Sequence, residues 1–396
     1  MLRTRESWLD SLARDLASRR DAHLLRELRQ ISTAAQPEIT VGGVSFLQFA
    51  SNNYLGLATH PQVIDAARDA IARFGTGSGA SRLVTGSLAL HHELENALAR
   101  FKHTQAALLF PTGYMANLAV LTTFAGEHDG IVSDKLNHAS LLDAARFSGA
   151  EDRTFPHRVT TRASELLARH RDAHPAARRF LVSDAVFSMD GDVADLAALA
   201  DIAERTDALL FIDDAHGTGV LGPRGAGLAE LQQVEGRIDL TVGTLSKALG
   251  SLGGFVAGPR AAIEMLINSA RSFIFTTALP PSCAAAALAA LHVIESDSAP
   301  RIRLDVMARH VRAELRSMGY DCGSSETPII PVILGDPAAA LAAAEFLKGR
   351  GIYIPAIRPP TVPPNAARLR ISLMATHTDA HIAQLLGGFR ALHSTS

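Results

Sequence analysis

Between residues 51 and 277 the chain alternates short apolar runs with longer stretches of helical spacing. The runs 106–110, 130–134, 180–184, 209–213 and 240–245 are almost unbroken apolar segments, as expected of strands buried on both faces. Between several of them lie helical segments at 114–124, 138–147 and 195–205. This alternation predicts an α/β domain with a mainly parallel sheet covered by helices on both sides. Around Pro280-Pro281 the texture changes. Two alanine-rich helical stretches follow, then a strand (328–334), a helix (338–348), a strand (368–374) and a helix (380–392), the pattern of a smaller α+β domain. At the other end, Trp8, Leu12, Leu16, Leu24, Leu25 and Leu28 fall near helical spacing within 6–30, and 39–49 alternates around Gly42-Gly43. An amphipathic arm and a hairpin are expected there. The predicted organisation is therefore an arm and hairpin over 1–50, a large domain over 51–282 and a small domain over 283–396.

Length and composition agree with that organisation. The 396 residues suit two or three domains, and 47% hydrophobic with 20% charged residues supplies a sizeable core. A disordered, collagen-like or disulfide-stapled chain is excluded. Lys+Arg 38 against Asp+Glu 40 leaves a net charge of −2, with no sign of a polyanion-binding surface. Cys283 and Cys322 lack metal-ligand spacing, and a reducing cytoplasm is the expected compartment. The first twenty residues alternate charged and apolar positions, unlike a secretory signal, and the apolar stretch 283–294 is too short to span a bilayer. Lysine is scarce. It occurs at Lys102, Lys135, Lys247 and Lys348 alone, so each position is informative.

Four of the predicted parallel strands end in polar residues that a sheet does not need, and ligands of open α/β sheets sit beyond those carboxyl ends. One strand leads into Asp213-Asp214 and His216, and another into Asp184 and Ser188. A third ends in Pro111-Thr112-Gly113 before a helix, where backbone N–H groups can hold a phosphate. A fourth leads to Thr244, Ser246 and Lys247, with Ala248, Leu249 and Leu252 positioned to bury the lysine stem. A lysine in low-polarity surroundings loses affinity for its proton and becomes an amine nucleophile. Singly, each residue has a plainer reading: turn caps for the aspartates, a structural histidine, a surface lysine. Gly75–Ala80 fits a dinucleotide fingerprint in letters only, because a helix rather than a strand precedes it. His91-His92-Glu93 lies in a helical stretch without the spacing of a zinc motif. Taken together, an amine, a carboxylate and a phosphate cradle are the handles of pyridoxal 5′-phosphate. No metal is called for.

The chain resembles the α-oxoamine synthase family of fold-type I pyridoxal-phosphate transferases. The resemblance is carried by SNNYLGL (51–57), GSGASRLVTG (77–86), PTGYMAN (111–117), SDKLNHASLLD (133–143), VFSMDGD (186–192), DDAHGTG (213–219), TLSKALGSLGG (244–254), IFTTALPP (274–281) and AIRPPTVPPNAARLRIS (356–372). It implies that Lys247 binds the cofactor aldehyde and later acts as base, that Asp213 pairs with the ring nitrogen and that His216 meets the phenolic oxygen. His138 would stack on the ring, Ser188 would contact it, and Gly113, Tyr114 and Thr244 would hold phosphate or cofactor. Arg370 would bind the amino-acid carboxylate, Arg26 and Thr361 would line the acyl-substrate site, and Asn52 is a further contact. Arg358–Val362 and Pro363 resemble the family's pimeloyl-accepting members, which condense L-alanine with a pimeloyl thioester, on CoA or a carrier protein, during biotin synthesis. A sibling acting on glycine or serine with another acyl-CoA, or a non-catalytic synthase subunit, are the alternatives. The resemblance also implies an acyltransferase homodimer with shared sites, in which Thr276 or Thr277 reaches the neighbour's phosphate.

Overall fold

The computed structural model describes residues 5–394; the first four and last two residues, including the start of the expected arm, lie outside the described residues. In chain order the strands are β1 (Glu38–Val41), β2 (Val44–Gln48), β3 (Ala106–Phe110), β4 (Gly130–Asp134), β5 (Glu151–Phe155), β6 (Arg179–Asp184), β7 (Leu209–Asp213), β8 (Leu240–Thr244), β9 (Gly254–Gly258), β10 (Ile329–Gly335), β11 (Ile352–Tyr353), β12 (Ala356–Ile357) and β13 (Ala367–Ser372). The chain forms two compact units, one of Asn52–Val306 with Met374–Thr376, the other of Met1–Ser51, Met307–Leu373 and His377–Ser396.

The first unit holds a seven-stranded sheet in the order β3-β9-β8-β7-β6-β4-β5. Neighbours from β8 through β5 run parallel, and β9 runs antiparallel to both β3 and β8. Alternation along each strand separates two buried layers. Phe180, Val182, Phe211 and Val242 pack on one side with Val120 and Leu121. Leu181, Leu210 and Ile212 pack on the other with Leu199 and Leu228. Burying each such side chain contributes roughly 1.5–3 kcal/mol, which is why the sheet needs helices on both faces. Strands β5 and β9 escape the sequence pattern. The first is a polar edge strand, EDRTF, and the second is a short GFVAG segment between glycines.

Two boundaries differ from expectation. The proline pair at 280–281 starts the helix Pro281–Ser296 rather than a new domain, with Pro281 in its first turn. That helix lays Ala284, Ala287 and Ala290 against the helices Pro61–Phe74 and Ala89–Phe101, so it belongs to the first unit. Small side chains permit the close approach. The N-terminal segment is likewise no separate element. The expected hairpin forms, and its β2 pairs in parallel with β11 of the C-terminal segment. The same unit contains the antiparallel sheet β10-β13-β12. The arm is helical only over Arg5–Asp21, where Trp8, Leu12 and Leu16 are exposed. Leu24 and Leu28 lie beyond it, because the N–H of Leu24 turns back to the Arg19 carbonyl and His23 takes a left-handed φ of 56°. No described helix is long and apolar enough to cross a membrane.

One of the four lysines is a structural pin. Lys102 caps the helix Ala89–Phe101 and is buried. Its Nζ donates to Asp214 Oδ2 (2.8 Å), Thr218 Oγ1 (2.7 Å) and the Ala226 carbonyl (2.6 Å). Gly227 makes room for this cluster, since a Cβ there would stand 1.7 Å from Asp214 Oδ2. The pin anchors the turn that follows β7. Removing one partner strands the other charge in the interior, at a cost of about 3–5 kcal/mol. Lys102→Met is expected to lose stability of that order in urea unfolding. Pairing it with Asp214→Asn should recover a large part, and an unchanged single variant would show that the pin does not hold the turn.

Candidate active site

Parallel strands bring their carboxyl ends to one edge. There β4, β6, β7 and β8 finish in Asp134, Asp184, Asp213 and Thr244, all buried. Alternation turns Asp213 to the same face as Phe211, the face covered by the helix Gly113–Phe124. Asn117, 1% exposed on that helix, therefore meets it. Asn117 Nδ2 donates to Asp213 Oδ2 at 2.6 Å and to Ser140 Oγ at 2.8 Å, while the N–H of Ala215 donates to Asp213 Oδ1 at 2.9 Å. Ser140 Oγ lies 2.7 Å from Nδ1 of His138, which also accepts the Ser140 N–H and so caps the helix Ala139–Ser148. The N–H of His138 donates to Asp184 Oδ2 at 2.9 Å. One continuous network thus joins Asp213, Asn117, Ser140, His138 and Asp184.

Burial pushes the His138 imidazole below its ordinary pKa, against the pull of the Asp213 charge and with the help of Lys247. The ring is therefore neutral at neutral pH. Burial, followed by repulsion from Asp213, lifts Asp184 well above the usual carboxylate range, and Lys247 offsets part of that rise. These couplings bring Lys247 into the same group as Asp184, Asp213 and His138. Lys247 is half-buried, flanked by buried Ala248 and Leu249, in the turn that links β8 to β9. Thr244 Oγ1 closes that turn by donating to the Gly253 carbonyl at 2.8 Å and accepting the Ser246 N–H at 3.2 Å. Gly250 has φ +63°, and a Cβ there would fall 2.3 Å from the Ala58 nitrogen. Only glycine fits.

The helix Gly113–Phe124 starts beside this turn. Thr112 caps it by accepting the Met115 N–H, and the α-carbon of Gly113 faces Thr244, whose Oγ1 would lie 3.7 Å from a Cβ at 113. Gly254 packs against Gly113 so closely that a Cβ on it would sit 2.6 Å from the Gly113 nitrogen. Free N–H groups in the first turn next to a threonine hydroxyl make an anion site. Tyr114 lies in that turn with an exposed ring, and its hydroxyl donates to Asp143 Oδ2 at 2.7 Å. His216 Nδ1 lies 2.7 Å from the hydroxyl of buried Tyr54, which donates onward to Asn52 Oδ1 at 3.2 Å. Ser188 is half-buried in a turn closed by the Phe187 N–H on the Asp192 carbonyl. Thr276 and Thr277 sit in the segment tied to the glycine loop through Ala278 N–H to Ala80 O and Ser78 Oγ to Leu279 O. His91 is a structural histidine, with Nδ1 accepting the Leu88 N–H and Nε2 on the Leu279 carbonyl.

The remaining expected residues belong to the other unit. Arg26 Nη2 donates to Thr361 Oγ1 at 3.0 Å, and Arg358 donates to the carbonyls of His23 and Leu25. Arg370 is buried on β13 and donates to Ser372 Oγ at 2.6 Å. Asn117, Ser140 and Tyr54 received no role from the sequence. A lone amide in the otherwise apolar run MANLAVL was the available signal for Asn117.

A second cluster braces the turn that carries Ser188. His157 bridges Asp134 (Nδ1 to Oδ1, 3.1 Å) and Asp192 (Nε2 to Oδ2, 2.9 Å) and stands edge-on to Phe187 at 4.3 Å. Burial opposes its charge, but the two carboxylates outweigh that and raise its pKa to about 9. The folded pKa exceeds the unfolded one, so this contribution is complete below the ordinary histidine range near 6.5 and fades as pH climbs through about 9. Urea unfolding between pH 6 and 10 should show stability falling on the alkaline side by an amount on the order of 2 kcal/mol. His157→Gln should be weaker at pH 6 and should flatten that fall; an identical slope in the variant would assign it to other groups.

A family model described as aminotransferase class I and II matches residues 44–389. An 8-amino-7-oxononanoate synthase of Cellvibrio japonicus (strain Ueda107) is 48% identical over 379 residues, covering 95% of this chain and 94% of its own. Another, from Anaeromyxobacter dehalogenans (strain 2CP-1 / ATCC BAA-258), is 46% identical over 384 residues, covering 97% and 96%. Among solved structures, Sphingomonas wittichii serine palmitoyltransferase superposes with a TM-score of 0.90 at 32% identity, over 100% of this chain and 98% of its own. The 8-amino-7-oxononanoate synthase of Francisella tularensis gives 0.75 at 27% identity, over 89% and 99%. The fold is thus shared across synthases of different substrates, while the sequence sides with one branch. The chain belongs to the aminotransferase class I and II family and, within its α-oxoamine synthases, to the 8-amino-7-oxononanoate synthases.

Proposed function

We propose that this protein condenses L-alanine with a pimeloyl thioester to give 8-amino-7-oxononanoate, CO2 and the free thiol carrier, as an acyltransferase of biotin synthesis. The observation that carries the reading is the grouping of Lys247, Asp213, Asp184 and His138 at the carboxyl edge of the sheet, in a chain nearly half identical to relatives of that name. Pyridoxal phosphate fits this edge. Asp184 Oδ1 is buried with no partner among the described residues, the space at Gly113 beside Thr244 is kept clear of side chain, and amine, carboxylate and anion cradle match its three polar handles.

Lys247 would hold the cofactor aldehyde, Asp213 its ring nitrogen and His216 its phenolic oxygen. His138 would lie on the ring face, Ser188 at its rim, and Gly113, Tyr114 and Thr244 at its phosphate. When bound, the cofactor supplies an electron-withdrawing ring that accepts the pair released at the α-carbon. Asp213, fixed by Asn117 and the Ala215 N–H, keeps a proton on the ring nitrogen. Neutral His138 adds no charge to the site and offers a flat face. The amine of Lys247 takes the alanine Cα proton and later returns one to the same carbon. Arg370 binds the alanine carboxylate, with Asn52 as a further contact held by Tyr54. Arg26 and Thr361, already hydrogen-bonded to each other, receive the pimeloyl substrate, whose carrier is CoA or an acyl carrier protein.

The working form is a homodimer with shared sites. Exposed Trp8, Leu12 and Leu16 on the arm and Phe275, 72% exposed beside Thr276, provide apolar surface for a second copy. Two unpaired cysteines suit a cytoplasmic setting.

Incubating the pure protein and pimeloyl-CoA with alanine, glycine or serine, and weighing the products, tests the assignment. Alanine should give 8-amino-7-oxononanoate fastest; a product from serine or glycine alone would assign a sibling activity. Octanoyl-CoA should be used at least about 100-fold less well in kcat/KM, because groups placed for the distal carboxylate are left unpaired. Equal use would overturn the pimeloyl assignment. Borohydride should attach the cofactor to Lys247 in peptide maps, and Lys247→Ala should take no label. Arg26→Ala should raise KM for pimeloyl-CoA while leaving the alanine-induced spectral change intact.

A further inference from the structure

At the opposite, amino-terminal edge of the sheet the chain gathers imidazoles that the condensation does not use. His170 and His174 lie one turn apart at the end of the helix Thr160–Ala173, and Glu151 is the first residue of β5. One ligand atom from each of Glu151, His170 and His174 lies within 4.8 Å of the others, with Glu151 Oε2 at 3.9 Å from His174 Nε2. Arg153 occupies the other oxygen, Oε1, at 2.8 Å. His128 lines the cluster from the loop before β4, its ring stacked on that of His174 at 6.4 Å.

His170 is the telling member. It is 9% exposed, and neither ring nitrogen has a hydrogen bond that meets standard geometry among the described residues. A buried imidazole carries one donor and one acceptor, and leaving such groups unpaired costs about 1–3 kcal/mol each. The fold nevertheless keeps a seat for it. Gly130, at the start of β4, lies under the ring, and a Cβ there would stand 2.6 Å from the His170 ring atoms.

We propose that Glu151, His170 and His174 form a binding site for a divalent transition metal of the zinc type. Two histidines four residues apart on a helix and a carboxylate from a neighbouring strand are a ligand set that zinc accepts, with a fourth position open to water. Ligand atoms about 2.0–2.2 Å from one ion stand roughly 3.4 Å apart, so the observed spacing closes by small rotamer changes. The site ties the edge strand β5 to the helix that covers it. It lies at the opposite end of β4 from Asp134, and its role is structural rather than catalytic.

The test uses the cofactor-loaded protein, stripped of metal with chelator and titrated with Zn2+ in a calorimeter. One ion per chain should bind, and at saturation the melting temperature should rise by about 2 °C or more. Co2+ in its place should give the visible absorption of a tetrahedral nitrogen–oxygen site. His174→Ala and Glu151→Gln, both at accessible positions, should each weaken Zn2+ binding at least about 10-fold and remove the thermal shift. Condensation activity without added metal should not change in either variant. No binding by the unmodified protein, or equal affinity in both variants, would overturn the site. Failure here leaves the proposed condensation untouched.

Discussion

A buried polar group must find a partner, and at the carboxyl edge of the seven-stranded sheet that requirement organises the molecule. Asp134, Asp184, Asp213 and Thr244 all end strands inside the protein, where an unpaired carboxylate is far more costly than at a surface. Each is met by a group delivered from a different element. Asn117 comes from the helix after β3, the His138 N–H from the loop after β4, and His157 from the loop after β5. Satisfying the strand ends fixes the loops that carry the site. Asp184 is the member left half-satisfied, its Oδ1 buried without a hydrogen-bond partner among the described residues.

The two adjacent aspartates at the end of β7 face opposite ways. Successive residues point to opposite sides, so Asp213 faces Asn117 and the site while Asp214 faces away to the buried Lys102. The inner pair fixes the backbone from behind, and the outer carboxylate can then be held to a single orientation. The same division of labour recurs at Asp134 and Asp192, which hold His157 against the turn of Ser188.

Glycine has a similar division. Some, such as Gly42 and Gly43, merely turn the chain, but Gly250 and Gly254 let one backbone pass against another where no side chain fits. The approach at Gly254 presses the start of the helix Gly113–Phe124 against the end of the β8–β9 turn, and the one at Gly250 seats that turn against Leu57 and Ala58. Serine palmitoyltransferase and 8-amino-7-oxononanoate synthase structures share this architecture.

The sequence by itself determined the local elements and the chemistry-bearing motifs. Apolar runs buried on both faces, helical spacing between them and polar residues at strand ends are local facts, and β3, β4 and β7 lie where the pattern puts them. Family motifs such as TLSKALGSLGG and DDAHGTG also travel intact in the letters. Tertiary structure decided what depends on residues distant in sequence. Lys102 and Asp214 are 112 positions apart, and Asn117 and Asp213 are 96 apart, so neither pairing leaves a periodic trace. The polar edge strand β5 has no hydrophobic signature because its partner β4 supplies the hydrogen bonds. The proline pair at 280–281 reads as a boundary locally, yet the alanine face of the helix that follows finds its partners in residues 61–101. Patterns along the chain encode which way a side chain faces; which side chain it meets is settled only when the strands find their order.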